Sequence, residues 1–256
     1  MLELENPPSL ICSTYIIICI NNQLNIFIMK KVILSISAML LSVVGFAQAN
    51  VSNVDQTGWF NGASVTQVGT SNDSDVWQWG LANLSVVDQT GDSNETDTNQ
   101  GGLFNWSSVT QNGTGNDAYV GQLGGFNLAV TNQDGDNNSA ITGQLGALNY
   151  AETNQVGNDN SAVTLQFWVG NSSVIDQIGD DNEAFVVQGT WFNSSVISQT
   201  GSFNSVLTGQ FGYDTFASTL QDGMYNYAET WQFGEDHVST ISQVGLGNVA
   251  LVYQSN

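Results

Sequence analysis

Residues 83–94 read Asn83-Leu84-Ser85-Val86-Val87-Asp88-Gln89-Thr90-Gly91-Asp92-Ser93-Asn94, and the asparagine at the end begins the same phrase again. Along the chain the phrase is Asn-x-(Ala/Ser)-x-(Val/Ile/Thr)-x-Gln-x-Gly-x-x, as in Asn138-Ser-Ala-Ile-Thr-Gly-Gln144-Leu-Gly146. From Gln56 to Gln254 a glutamine falls at every eleventh residue, nineteen times.

The recurring residues alternate with variable ones over seven positions, which is the period of a β-strand and puts Asn, Ala/Ser, the β-branched residue and Gln on one face. The site two before each Gln is Val, Ile or Thr in all nineteen units. Gly follows two after Gln in sixteen of eighteen connections and supplies the positive φ of a tight bend; Trp168 and Thr190 are the exceptions, each with a glycine nearby, Gly170 and Gly189. An eleven-residue period also suits a right-handed coiled coil, but a Gly and a β-branched residue in nearly every unit would cost a helix roughly 1 kcal/mol or more per repeat.

Connections alternate in character. Gly91-Asp-Ser, Gly135-Asp-Asn and Gly179-Asp-Asp are acidic or small, whereas Gly58-Trp-Phe, Gly102-Leu-Phe and Gly124-Gly-Phe are bulky. Two units therefore make a 22-residue rung, and stacking rungs in register gives an all-β solenoid: two thin parallel sheets, two strands per rung, with internal Asn and Gln ladders. Nine and a half rungs at ~4.8 Å would span roughly 45 Å.

The expected glutamine ladder is Gln56, Gln67, Gln78, Gln89, Gln100, Gln111, Gln122, Gln133, Gln144, Gln155, Gln166, Gln177, Gln188, Gln199, Gln210, Gln221, Gln232, Gln243 and Gln254. The asparagine ladder is Asn50, Asn61, Asn72, Asn83, Asn94, Asn105, Asn116, Asn127, Asn138, Asn149, Asn160, Asn171, Asn182, Asn193, Asn204, Asn226 and Asn248. Each amide there can donate to the amide carbonyl one rung away, a net gain of about 0.5–1.5 kcal/mol per bond and a larger loss if unmade, which pins the register. A buried unpaired carboxylate is costly, and all 21 Asp and Glu after residue 47 avoid the four inward sites of every unit.

Position matters more than totals in the composition. Both basic residues (Lys30, Lys31), both cysteines (Cys12, Cys19) and both prolines (Pro7, Pro8) lie at or before Lys31, and the net charge is -21. Met29-Lys30-Lys31, the apolar run Val32 to Phe46 and the small-residue end Ala47-Gln48-Ala49 have the three parts of a secretory signal peptide, residues 29–49, with cleavage expected after Ala47 or Ala49. Residues 1–28 are read as a mis-assigned upstream start, and 50–256 as the repeat domain of nineteen strands. The apolar run is too short for a spanning helix, and no later segment approaches the ~20 apolar residues a membrane span needs. Binding to nucleic acid requires Lys or Arg at phosphates, and the exported chain has neither. With no cysteine it has no disulfide staple.

Catalytic groups are scarce, so no active site, cofactor or metal is expected. His237 is the one histidine and occupies an Asn ladder site, where it reads as a tolerated substitution. Asn-x-Ser/Thr triplets at Asn83, Asn94, Asn105, Asn171 and Asn193 follow from the repeat itself. Acidic turns such as Asp134-Gly-Asp136 and Asp180-Asp181-Asn182-Glu183 offer Ca²⁺-type oxygen ligands, although the eleven-residue period and the neutral rungs between such turns favour a solvated surface. Ice binding would need a flat outward array of Thr, and Thr is regular only at an inward site. The outward residues before the bulky turns are aromatic or apolar; Trp77, Trp79, Phe167, Phe211, Trp231 and Phe233 are the candidates for lateral contact.

The first expected strand begins within three residues of the expected cleavage site and the last is followed only by Ser255-Asn256, which leaves no room for the caps of a monomeric solenoid. The unit Asn-x-Ala/Ser-x3-Gln-x-Gly, in paired strands over residues 50–256, resembles the curlin repeat of curli subunits. That resemblance implies export across the outer membrane of a Gram-negative bacterium, with curli-type secretion and nucleation proteins as partners. It further implies self-assembly by end-to-end stacking into extracellular amyloid fibres for biofilm matrix, adhesion and cell aggregation. The chain departs from the best-known curli subunits in having more repeats and no Gly-rich segment before the first strand. Its regular ladder favours the bulk fibre component over the surface nucleator. The alternative reading is a monomeric secreted solenoid adhesin that binds a surface or glycan through the aromatic face.

Overall fold

The computed structural model describes residues 49–256, so the expected upstream stretch (1–28) and nearly all of the expected leader (29–49) lie outside the described residues. Among the described residues nineteen strands form two parallel sheets. The odd sheet holds β1 (Val51–Trp59), β3 (Asp73–Leu81), β5 (Glu95–Leu103), β7 (Asp117–Gly125), β9 (Ser139–Ala147), β11 (Ser161–Val169), β13 (Glu183–Gln188), β15 (Ser205–Tyr213), β17 (Tyr227–Glu235) and β19 (Val249–Ser255). The even sheet holds β2 (Gly62–Thr70), β4 (Leu84–Asp92), β6 (Trp106–Thr114), β8 (Leu128–Asp136), β10 (Tyr150–Val156), β12 (Ser172–Asp180), β14 (Ser194–Ser202), β16 (Phe216–Met224) and β18 (Val238–Leu246). This is the two-strands-per-rung β-solenoid that the repeat predicts.

Pairing is in register without a slip: Gln78 sits beside Gln100 and Gln100 beside Gln122, each on the next rung. A shift of one residue would turn every inward side chain to solvent, so the alternation of polar and β-branched residues fixes that register. The interior between the sheets is narrow. It is filled by the β-branched column (Val87, Val109, Ile175 and Ile197) and by small residues such as Ala118, Ala129 and Ala228, all buried. One β-branched side chain and one methyl per unit is a thin apolar core, so the amides carry much of the specificity.

Every bend except those at Thr190 and Gly212 uses two positive-φ residues, of which sequence reading finds the first. Glycine two after Gln takes φ near +120°, as at Gly91 (φ 119), and a Cβ there would meet the Gly113 carbonyl oxygen of the next rung at 1.9 Å. The second is the residue just before each Asn, in the left-handed region whatever its type: Phe60 (φ 59), Ser71 (φ 57), Asp181 (φ 55). A non-glycine there costs of order 1 kcal/mol, which the stacked main-chain bonds on either side offset. At the two bends without a glycine two after Gln, the nearby glycine does not take over the first position. Trp168 adopts the positive φ itself (76°), while at Thr190 the strand stops at Gln188 and the Thr190 hydroxyl donates to the Gly212 carbonyl.

Candidate assembly surfaces

The strand places the Gln side chain inward, and the next rung brings an identical amide into reach. In the odd sheet an unbroken chain of bonds runs from Gln56 to Gln254, each Nε2 donating to the Oε1 one rung toward the C-terminus, for instance Gln100 to Gln122 at 2.8 Å and Gln210 to Gln232 at 2.9 Å. In the even sheet the same chain runs from Gln67 to Gln243. The second amide hydrogen crosses to the other sheet, where Gln144 Nε2 donates to the Leu128 carbonyl at 2.9 Å. Both donors of an interior Gln are thus used in a closely packed column, which is why the position tolerates no substitute in nineteen units.

The Asn column runs the other way. Asn138 Nδ2 donates to Asn116 Oδ1 at 3.1 Å, toward the N-terminus, and the same oxygen accepts the Asn138 main-chain N–H at 3.0 Å. Asn138 Nδ2 also reaches the Gly157 carbonyl in the turn one rung on, at 2.7 Å. Asn therefore stitches bend to bend, a role that spacing alone does not reveal. Two ladder sites lack Asn: the Thr215 hydroxyl donates to Asn193 Oδ1 at 2.7 Å, and His237 Nε2 pairs with the Phe233 carbonyl at 2.9 Å, the bond that Asn83 Nδ2 makes to Trp79.

The hydroxyls of the two columns between them are less well provided. Ser74, Ser85, Thr98, Ser107, Ser195, Thr208, Thr219, Thr230 and Ser239 bury side-chain oxygens without a hydrogen-bond partner among the described residues. Alanine replaces the serines in other units, as Ala129 beside Ser107, and valine or isoleucine replaces the threonines two before Gln, as Val76 beside Thr98, so shape and not bonding is what each of the two sites selects.

Outside, the sheets differ. On the odd sheet Trp77, Trp79, Phe167 and Phe211 are exposed, and Phe211 stacks with Phe233 (5.6 Å) and Trp231 (6.1 Å). Large side chains lie over glycines of the neighbouring rung. A Cβ on Gly101 would meet the Trp79 ring at 2.3 Å, one on Gly189 the Phe211 ring at 2.5 Å, and one on Gly209 the Trp231 ring at 2.3 Å. The alternation of aromatic and glycine along this face is a packing requirement that only the rung register makes visible. It leaves an apolar groove of about 790 Å³ lined by Trp79, Leu123, Leu145, Phe167, Trp168 and Phe211. The six lateral-contact candidates thus share one face, and the bulky bends continue it around one edge, where Phe104 stacks on Phe126 at 5.1 Å.

Among the described residues the carboxylates stay outside, and none is buried. In-register stacking nevertheless puts Asp75 beside Asp97, and Asp73, Glu95 and Asp117 in one column. Partial burial, reinforced by the charges of Asp75 and Asp117 and opposed by a hydrogen bond from Asn99, raises the Asp97 pKa; burial raises that of Asp117. Tyr150 donates to Glu152 and its phenol is pushed up to about 12, mainly by that bond, while Glu229 does the same to Tyr227 in direction. No group of three or more His, Cys, Asp or Glu among the described residues is placed to hold a metal.

A family model described as the curlin associated repeat matches residues 91–124, which run from the end of β4 through β5 and β6 into β7. That stretch of the chain carries a curlin associated repeat. The matched stretch has the same ladder geometry as the rest of the solenoid, since Gln100 and Gln122 within it bond to each other as Gln210 and Gln232 do outside it. Comparison of the chain with curated proteins gives no match. No helix among the described residues is long and apolar enough to cross a membrane.

Proposed function

We propose that the chain is an exported structural subunit that stacks end to end into an extracellular curli-like amyloid fibre, serving biofilm matrix, adhesion and cell aggregation at the surface of a Gram-negative bacterium. The observation that carries this reading is the open interior of the terminal rungs among the described residues. Val54 in β1 is an inward residue by sequence, yet 48% exposed, whereas Val76, its partner one rung in, is 2% exposed. The interior that every other rung covers is left for a further strand, and a strand of the same repeat is the shape that fits. On this reading its partners are secretion and nucleation proteins of the curli type, a reading supported by the repeat matched at residues 91–124.

A second reading, a monomeric adhesin acting through the odd sheet, draws on the exposed Trp77, Trp79 and Phe211. Replacing Trp77, Trp79 and Trp231 by Ala separates the two. A fibre subunit keeps eluting as a growing polymer in size-exclusion chromatography and loses side-by-side bundling. An adhesin elutes as a monomer before and after and loses surface binding.

A further inference from the structure

Among the described residues the odd sheet has ten strands and the even sheet nine, so the two ends of that solenoid do not match by simple translation. A copy placed with its β1 on β19 would leave the open edge of β18 facing a gap one strand wide, with Ile241 and Gln243 lining it. The price would be a row of unpaired main-chain groups and an apolar void.

We propose that successive copies join by half a rung: the β1 of the incoming copy pairs with β18, and its β2 pairs with β19. This rests on the polymer reading above. Each copy is then rotated by a half turn about the fibre axis relative to the last, so its odd sheet continues the even sheet of its neighbour.

Three features of the chain fit that joint. The first is that the two sheets are built from the same inward sequence, so a strand of either can follow a strand of the other: Asn, Ala or Ser, a β-branched residue and Gln recur in all but a few units of both. At the joint Gln56 would lie on Gln243, Val54 on Ile241 and Ser52 on Ser239, then Gln67 on Gln254, Val65 on Val252, Ala63 on Ala250 and Asn61 on Asn248.

The second is the polarity of the ladders. At the C-terminal end Gln243 Nε2 donates only to the Tyr227 carbonyl (3.0 Å) and Gln254 Nε2 only to the Val238 carbonyl (2.9 Å), so each has one hydrogen left among the described residues, pointing on along its column. At the N-terminal end Gln56 and Gln67 donate onward, to Gln78 and Gln89, and their Oε1 atoms accept nothing among the described residues. Donors at one end meet acceptors at the other in both columns at once. Asn248 Oδ1 is likewise open to the N–H and Nδ2 of Asn61, as Asn61 Oδ1 receives those of Asn83 at 3.0 and 3.3 Å. Asn50, above His237, is the one ladder site that gains no amide acceptor.

The third is phase. Asn256 stands two after Gln254, the place of the bend glycine, and Ala49 stands just before Asn50 with φ 42, the left-handed setting that all other residues before the Asn site share. One position lies between them in the eleven-residue phrase, and Gln48 fills it. Residues 48–256 hold nineteen units of eleven, so copies that span those residues keep the phrase in phase across the joint. The aromatic face then appears on alternate sides of the fibre in successive copies.

Engineered disulfides in fibres grown from the exported full-chain product read the joint directly, because the chain beyond Cys19 has no cysteine and in-register neighbours across paired strands stand about 4.8 Å apart, within disulfide reach. One variant carries Leu251→Cys with Ser64→Cys, which the half-rung joint places side by side; a second carries Thr240→Cys with Asn53→Cys, also adjacent in that joint; a third carries Leu251→Cys with Asn53→Cys, adjacent only if β1 stacks on β19. The expected result is ladders of covalent multimers on a denaturing gel from the first two and none from the third. Multimers from the third, or fibres that cross-link in none, overturn the half-rung joint while leaving the polymer intact. A product that forms no fibre in any variant or in the parent overturns the polymer reading and the joint with it. A helical reconstruction checks the same point independently: a subunit rise of nine and a half rungs, about 45 Å, with a half turn supports it, and ten rungs without rotation contradicts it.

Discussion

Gln122 donates its amide to Gln144 at 2.8 Å across one full rung of sequence, and Gln144 passes the same bond on to Gln166 at 2.9 Å. Each glutamine is therefore both a register pin for its own rung and the template for the next one. A chain built this way gains little from its first rung, whose ordering entropy nothing repays, and gains steadily once a finished rung is present.

Gln144→Leu removes three bonds at once: the donation to Gln166, the donation to the Leu128 carbonyl at 2.9 Å and the acceptor for Gln122. Stranding buried amide groups of its neighbours should lower stability by roughly 2–5 kcal/mol. Thr66→Ala, on the exposed face of β2, should stay within about 0.5 kcal/mol. The guanidinium concentration that dissolves the assembled protein reads both.

Two glycines on paired strands, Gly62 of β2 and Gly91 of β4, should respond differently to the same substitution. Gly91→Ala adds a Cβ 1.9 Å from the Gly113 carbonyl oxygen at φ 119 and should cost at least about 2 kcal/mol, or prevent assembly. Gly62→Ala meets only the flexible Leu84 Cδ1 at 3.2 Å and should assemble at close to the parent rate.

Assembly should quicken as the solution is acidified. The raised Asp97 and Asp117 pKa values mean that the stacked state favours their protonated forms, so the penalty is absent below about the usual carboxylate value of 3.8, grows as pH rises through the raised values and is fully present at neutral pH. Asp97→Asn should speed elongation at pH 7, flatten its pH dependence and weaken the acceleration by salt, since it removes the charge that faces Asp75 in register and also repels Asp117. Elongation rates of parent and variant at pH 4 to 7 decide this; equal pH profiles would refute it.

Much of the solenoid is legible because its period is visible residue by residue: Gln89, Val87, Ser85 and Asn83 declare one face of a strand, and Gly91 declares the bend. What stays hidden depends on the neighbour one rung away. The left-handed residue before each Asn varies from Phe60 to Asp181 because its side chain leaves the bend outward, so no residue type marks it. The glycines under aromatic rings, Gly101 below Trp79 and Gly209 beside Trp231, look like gaps in an apolar pattern until successive rungs are set side by side. Spacing marks Trp168 as a broken bend relieved by Gly170, whereas the tryptophan holds the positive φ and Gly170 (φ 75) fills the ordinary left-handed site before Asn171.

Seeded growth tests the central claim most directly. Fresh purified protein spanning residues 48–256 should show a lag before a cross-β signal with a repeat near ~4.7 Å appears, and preformed fragments of its own fibres should abolish that lag. Protein that stays folded and monomeric for days at high concentration, with or without seeds, would contradict the account.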